Sequence, residues 1–210
     1  MTAFSTVAQE VILHVPAAPI PLAVHAVKKS AINFCRLSTA YRYEIEEFPM
    51  IAGISTYDLD IPDNTWPIKV GVMQGREQPI KPTSPEYLDN TDPGWRDKTT
   101  QKPTHYYLAS DRLRLVYTPS VTAILESNLI VVLGLKQTAT ELEDTLFERY
   151  YDTLVAGAVA YLSNLPDETV ANPTKAQMFS AAFSAGVDMA MTEANRENTA
   201  KDIVNAYSDI

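Results

Sequence analysis

The sequence predicts an α+β protein: a helical bundle formed by N- and C-terminal helices, with an inserted β-rich domain. Three observations carry that prediction. Apolar residues recur at three- and four-residue steps near both ends of the chain. Between about Tyr41 and Gln137 that period gives way to short alternating runs. The same span holds 9 of the 14 prolines, 5 of the 7 glycines, 7 of the 11 tyrosines and both tryptophans, a composition of strands and turns rather than helices. The expected divisions are N-terminal helices over 1–40, the β-rich insert over 41–137, C-terminal helices over 138–195 and a C-terminal tail over 196–210.

Phe4, Ala8, Val11, Ile12 and Val15 share one helical face, with Ser5 as a cap, so a short helix is expected over about Ser5–Val15. Pro16, Pro19 and Pro21 then interrupt the chain. Pro21 suits the first turn of a second helix, about Leu22–Thr39, because its missing amide has no partner there anyway. Val24, Val27, Ala31, Phe34 and Ser38 form its seam, and Lys28, Lys29, Asn33 and Arg36 lie off it. Cys35, beside the seam, reads as a small buried hydrophobe, since no histidine base or electropositive pocket is supplied locally.

In the insert, the runs YRYEIEEF, STYDLDI, IKVGVM, THYYLAS, RLRLVYT and LIVVLGLK predict five to seven short strands. Gln74–Gly75 and Ser110–Asp111 are turn candidates. Thr83–Pro103, rich in Pro, Asp and Thr, is expected to be a long ordered loop pinned by Tyr87, Leu88 and Trp95.

Ala139–Pro166 reads as one continuous helix. Thr140 and Glu143 have the spacing of a capping box, and Glu141, Glu143 and Asp144 place negative charge in the first turn. Leu142, Leu146, Tyr150, Leu154, Ala158, Tyr161, Leu162 and Leu165 line one face. Gly157 with Ala156, Ala158 and Ala160 narrows the middle, where another helix could approach. Asn172–Pro173 opens a last helix to about Asn195, with Ala176, Phe179, Phe183, Val187 and Ala190 on one face and Met178, Ala182, Ala185 and Met189 widening it. The rest is either a fraying end or a tail that docks elsewhere.

The balance of 26 acidic to 17 basic residues, net −9, argues against a surface built to grip phosphates, which needs a basic face. It leaves room for a surface past which DNA slides without sticking, because like charges repel. No apolar run reaches membrane-spanning length, and the N-terminus has neither the basic nor the apolar region of a secretory signal. One cysteine excludes an intrachain disulfide.

Motifs for catalysis are not found. No glycine loop of a phosphate-binding kind, no HExxH and no Cys/His cluster occurs, so no cofactor, metal or catalytic residue is expected. His14 and His25 read as packing or surface residues. His105 with Ser110 and Asp111 is the one triad worth weighing, and no nucleophile elbow frames the serine. Glu44, Glu46 and Glu47 read as a solvated strand face rather than a carboxylate pair for glycoside cleavage. Tyr41, Tyr43, Tyr57, Trp66, Trp95, Tyr106, Tyr107 and Tyr117 are weighed as a stacking platform and read instead as packing residues, since the chain's net charge is negative.

Four stretches, in order, resemble tailed-bacteriophage head-to-tail adaptor (connector) proteins of the tail tubular protein A-like family. They are AVKKSAINFCRLST, IAGISTYDLDIPDNTWPIKVGVMQGREQPIKPTSPEYLDNTDPGWRD, PTHYYLASDRLRLVYTPS and ATELEDTLFERYYDTLVAGAVAYL. The likeness runs from about Val15 to Ala190. It implies a structural virion protein at the head–tail junction, the neck, assembled in the host cytoplasm, with neither enzymatic activity nor a membrane role. About twelve copies would form a ring between the portal protein and a downstream tail protein (nozzle or tail-completion), extending a channel through which viral DNA passes without specific binding. The C-terminal segment would reach the portal, which makes Ile203, Val204, Tyr207 and Ile210 the candidate anchors. The alternatives are a head-completion or stopper protein at another level of the neck, a virion-associated hydrolase using His105, and a carbohydrate- or nucleic-acid-binding module.

Overall fold

The computed structural model describes residues 1–73, 80–167 and 169–207, and the side chains of all of these except residues 46, 47, 72, 125–128 and 197–207. The expected Gln74–Gly75 turn lies outside the described residues. In chain order the elements are β1 (Thr2–Ala3), α1 (Phe4–His14), α2 (Ile20–Ser38), β2 (Arg42–Met50), β3 (Thr56–Asp58), β4 (Thr65–Met73), β5 (Lys81–Pro82) and α3 (Pro85–Thr91). A 3-10 turn (Trp95–Asp97) precedes β6 (Thr99–Thr100), β7 (His105–Ala109), β8 (Arg112–Val116), β9 (Thr118–Pro119), β10 (Ala123–Leu135), β11 (Glu141–Leu142), α4 (Asp144–Arg149), α5 (Tyr151–Ser163) and α6 (Pro173–Tyr207). The fold is α+β, and the chain divides into two compact units: Met1–Tyr41 with Gly134–Ile210, and Arg42–Leu133.

In the helical unit, α5 packs against α2 and α6, and α1 packs against α2. α2 has proline in its first turn and stops where Thr39 turns left-handed, at φ 54°. Its buried face is Ala23, Ala26, Val27, Ser30, Ala31, Phe34 and Cys35. Leu154, Ala158 and Leu162 of α5 are fully buried. Burying a leucine side chain stabilises by about 1.5–3 kcal/mol, so this seam is a main source of the unit's stability. Ser30 Oγ, itself buried, donates to the Leu154 carbonyl at 2.8 Å and so satisfies a hydroxyl between two helices. At the start of α6 the Asn172 side chain accepts from Lys175 N at 3.0 Å, the capping role its position predicts.

The expected helix over Ala139–Pro166 is not continuous. Glu141 and Leu142 instead form β11, antiparallel to β1 with Thr2 opposite Leu142. The Thr140 carbonyl accepts from Phe4 N at 3.1 Å, and the cap position of α4 is Glu143, whose side chain makes no capping bond. The capping box therefore gives way to pairing with the start of the chain. A second break falls at Tyr150 (φ −119°, ψ 23°) between α4 and α5. α6 also differs from expectation: it continues past Asn195 to Tyr207, and Met178, Ala182, Ala185 and Met189 are exposed rather than part of its buried face. The buried side chains of α6 include Ala176, Val187, Ala190 and Ala194.

In the β unit, one sheet has the order β2-β10-β4 and another β3-β8-β7-β5. β10 runs antiparallel to β2 from Ala123 opposite Met50 to Val132 opposite Arg42, with a register shift between Glu126 and Leu129. β7 and β8 form a hairpin closed at Ser110–Asp111, where Ser110 has φ 57°. Thr83–Pro103 is ordered, as expected, and carries regular elements as well as loop. It contains α3, whose cap Ser84 accepts from Tyr87 N at 3.2 Å, and the 3-10 turn. Leu88 and Trp95 are buried in a small cluster with Val116, whereas Tyr87 is 60% exposed and pins nothing.

Candidate functional site

The residues weighed for chemistry do not come together. His105 begins β7 and Ser110–Asp111 lies beyond its other end, about 16 Å away at strand rise. The His105 Nδ1 instead lies 2.9 Å from the hydroxyl of Thr104. His14 packs edge-on to Phe179 and His25 lies beside Tyr161. Cys35 is fully buried, and desolvation pushes its thiol up to about 12. Tyr41, Tyr57, Trp95 and Tyr106 are buried, so their faces offer no open stacking platform. Among the described residues no group of three His, Cys, Asp or Glu side chains is placed to hold a metal ion. Among the same residues no helix is long and apolar enough to cross a membrane. Glu44 is exposed on β2; the side chains of Glu46 and Glu47 lie outside the described set.

Three other features of the described residues stand out. The first is the distal part of α6. Its helical backbone continues from Ala194, which is buried, to Tyr207. Ile203, Val204 and Tyr207 lie on this extension, but their side chains, and all of Ile210, lie outside the described residues.

The second surface is a braced apolar tip of the β unit. Ile51, Ile54, Val121 and Ile124 are 39–60% exposed, unusual for branched aliphatic residues. Gly53, at φ 80°, allows the first loop to turn sharply. The buried Tyr57 hydroxyl accepts from Ile51 N at 3.1 Å and donates to the Ile54 carbonyl at 2.6 Å. Ala52 N donates to Thr122 Oγ1 at 3.1 Å and Gly53 N to the Pro119 carbonyl at 2.8 Å, which joins the two loops. Sequence reasoning missed this tip. Its only local signal is that neither Met50–Thr56 nor Thr118–Ile124 contains a charged residue.

The third is the stapled segment after α3. The Trp95 indole N–H donates to Asp89 Oδ1 at 2.8 Å, and Arg96 grips both oxygens of the same carboxylate. The Arg96 and Arg114 guanidinium carbons lie 4.5 and 5.3 Å from the Trp95 ring centroid. Lys98 donates to Asp92 at 2.6 Å, and the Tyr117 hydroxyl donates to the same carboxylate at 3.0 Å. Arg96, and then the indole, hold the Asp89 carboxyl below its usual range, and Lys98 does the same to Asp92. Such an arrangement fixes a loop in one shape; it pairs no base with a nucleophile.

Compared with known proteins, the chain matches the family described as SU10 adaptor protein over residues 3–204. No curated protein matches it.

Proposed function

The chain belongs to the SU10 adaptor protein family, and from that membership we propose that it is a non-enzymatic head-to-tail adaptor of a phage virion. About twelve copies form a ring between the portal and the tail and extend the DNA channel, in the manner of tail tubular protein A-like connectors. In this reading the helices of the first unit are the bundle and Arg42–Leu133 is its inserted domain. The observation that carries the proposal is the extent of the family match, which leaves out only the first two and last six residues.

Two physical features support it. Twelve chains each at net −9 give a ring roughly a hundred negative charges, an acidic balance that disfavours adhesion of passing DNA. α6 also extends beyond Ala194, as an element that docks on a portal would. Ile203, Val204, Tyr207 and Ile210 are the proposed anchors. Assembly in the host cytoplasm completes the reading. The test is genetic: particles made without this protein accumulate as filled heads lacking tails. Normally tailed, infectious particles would sink the proposal.

A further inference from the structure

α2 is a cationic element in an acidic chain. No Asp or Glu occurs from Val11 to Tyr43, although the chain has 26 acids against 17 bases. His25, Lys29, Ile32 and Arg36 recur at steps of four, three and four residues, with Lys28 flanking them. On the helix this line lies opposite the buried face of α2: His25 and Arg36 are exposed, Lys28, Lys29 and Ile32 are half-buried, and the His25 ring lies beside Tyr161 of α5. Lys29 Nζ donates to Gln137 Oε1 at 3.3 Å and Arg36 to Asn33 Oδ1 at 3.5 Å. Neither acceptor is a carboxylate, and among the described residues Lys28, Lys29 and Arg36 make no ion pair. Lys136, exposed and next to Gln137, extends the patch.

The same unit carries the complement. Glu10 of α1, Glu148 of α4 and Asp152 of α5 make no ion pair among the described residues either. Glu148 and Asp152 are exposed and Glu10 is half-buried. Glu10 and Asp152 stand close to Tyr151: after burial, their charges are what raise its phenol. Among the described residues, the helical unit therefore carries two faces of opposite sign that form no ion pair with one another. Faces that do not pair among the described residues of one chain can pair between identical chains.

We propose that the Lys28–Lys29–Arg36 face of α2 docks on the Glu10–Glu148–Asp152 face of a second copy, a head-to-tail contact repeated around an assembly. Unlike faces in contact generate rings where the rotation closes, whereas like faces would stop at a dimer. The inference rests on the ring reading above and names the faces that meet. Opposite charges here set register and speed encounter more than they add affinity. Nucleic acid is the weaker occupant. Three cations neutralise about three phosphates, a salt-sensitive footprint that the acidic remainder of the chain opposes.

The test uses the full chain assembled on its portal from an equal mixture of heavy-isotope and natural copies. Carbodiimide coupling, which joins only ammonium and carboxylate groups in contact, yields heavy–light links from Lys28 or Lys29 to Glu10, Glu148 or Asp152. K28E/R36E and E10K/D152K each lower the copies retained per portal at least tenfold. Combining all four substitutions restores them, which also shows that each variant folds. Unchanged assembly in both double variants overturns this contact while the ring reading stands. Wild-type chain that never assembles in multiple copies overturns the ring reading, and this contact with it. Loss of duplex-DNA retention in K28E/R36E with assembly intact overturns the contact in favour of a polyanion site.

Discussion

Gly186 of α6 lies directly against Thr153 of α5. A β-carbon built at Gly186 would fall 2.6 Å from Thr153 Cγ2 and 2.9 Å from its Cβ, closer than real side chains approach. Four residues along, the relationship reverses: Gly157 of α5 receives the Phe183 ring of α6, with a built β-carbon 2.6 Å from Phe183 Cδ2. The two glycines set the spacing of an antiparallel helix pair. Alanine inside a helix is ordinarily favoured over glycine by about 0.5–1 kcal/mol. Here overpacking, at about 1–3 kcal/mol, opposes and exceeds that gain. G186A should therefore lower the unfolding free energy, most clearly because Thr153 Cβ is fixed to the backbone and cannot swing away. Chemical denaturation measures it; a stabilised G186A would show that the helices are not this close.

Trp95 is the anchor of the segment after α3. It is 1% exposed and braced by Asp89, Arg96 and Arg114. W95A should cost about 3–5 kcal/mol, as for other large-to-small core changes. Tyrosine fluorescence and near-UV circular dichroism follow the loss in the β unit. A change under about 1 kcal/mol would contradict the stapling role.

The same segment carries a pH dependence whose sign follows from its carboxylates. Asp89 and Asp92 have folded-state pKa values below their ordinary ones, because Arg96 and Lys98 stabilise the charged forms. Their contribution is fully present above about pH 4, the unfolded-state pKa, and is lost as pH falls through the depressed folded values. Thermal stability should drop over that acidic window, and D89N/D92N should show a shallower drop than wild type. An equal slope in both would place the acid sensitivity elsewhere.

Cys35 should be silent in the folded protein. Its thiol is fully buried and titrates near 12, so almost no thiolate forms at neutral pH. Ellman's reagent should find no reactive thiol in native protein and one per chain in denaturant. Rapid native labelling would mean that α2 opens readily.

Much of this was legible in the sequence, and the failures share a cause. α2, the Asn172–Pro173 start of α6 and the β7–β8 hairpin rest on local signals: apolar period, cap chemistry and a two-residue turn. The break of the expected long helix rests on non-local ones. Thr140 and Glu143 have capping-box spacing, but Thr2–Ala3 pairs with Glu141–Leu142 across most of the chain, and two residues are too few to announce a strand. The break at Tyr150 has no proline or glycine to mark it. Met178 and Met189 fit the apolar period yet face outward, because periodicity tells which residues share a face and not whether that face is covered. The apolar tip went unseen because its logic is three-dimensional: Tyr57 and Thr122 brace loops that are far apart in sequence.

The distal end of α6 yields a prediction of the proposed function. Removing Lys201–Ile210 should abolish attachment to the portal while leaving the melting temperature within about 2 °C of wild type, since the cut falls at the chain end and leaves the buried Ala176, Val187, Ala190 and Ala194 in place. Normal attachment by the truncated chain would remove the anchoring role from Ile203, Val204, Tyr207 and Ile210.

As the proposed ring adaptor, this chain would stand in the neck of the virion at a fixed copy number. Quantitative mass spectrometry of purified particles, scaled to the portal protein, tests it most directly. A ring adaptor gives about one copy per portal subunit, about twelve per particle. Absence from the particle would contradict the structural reading outright, and tens or hundreds of copies would assign the chain to a tail tube or capsid instead.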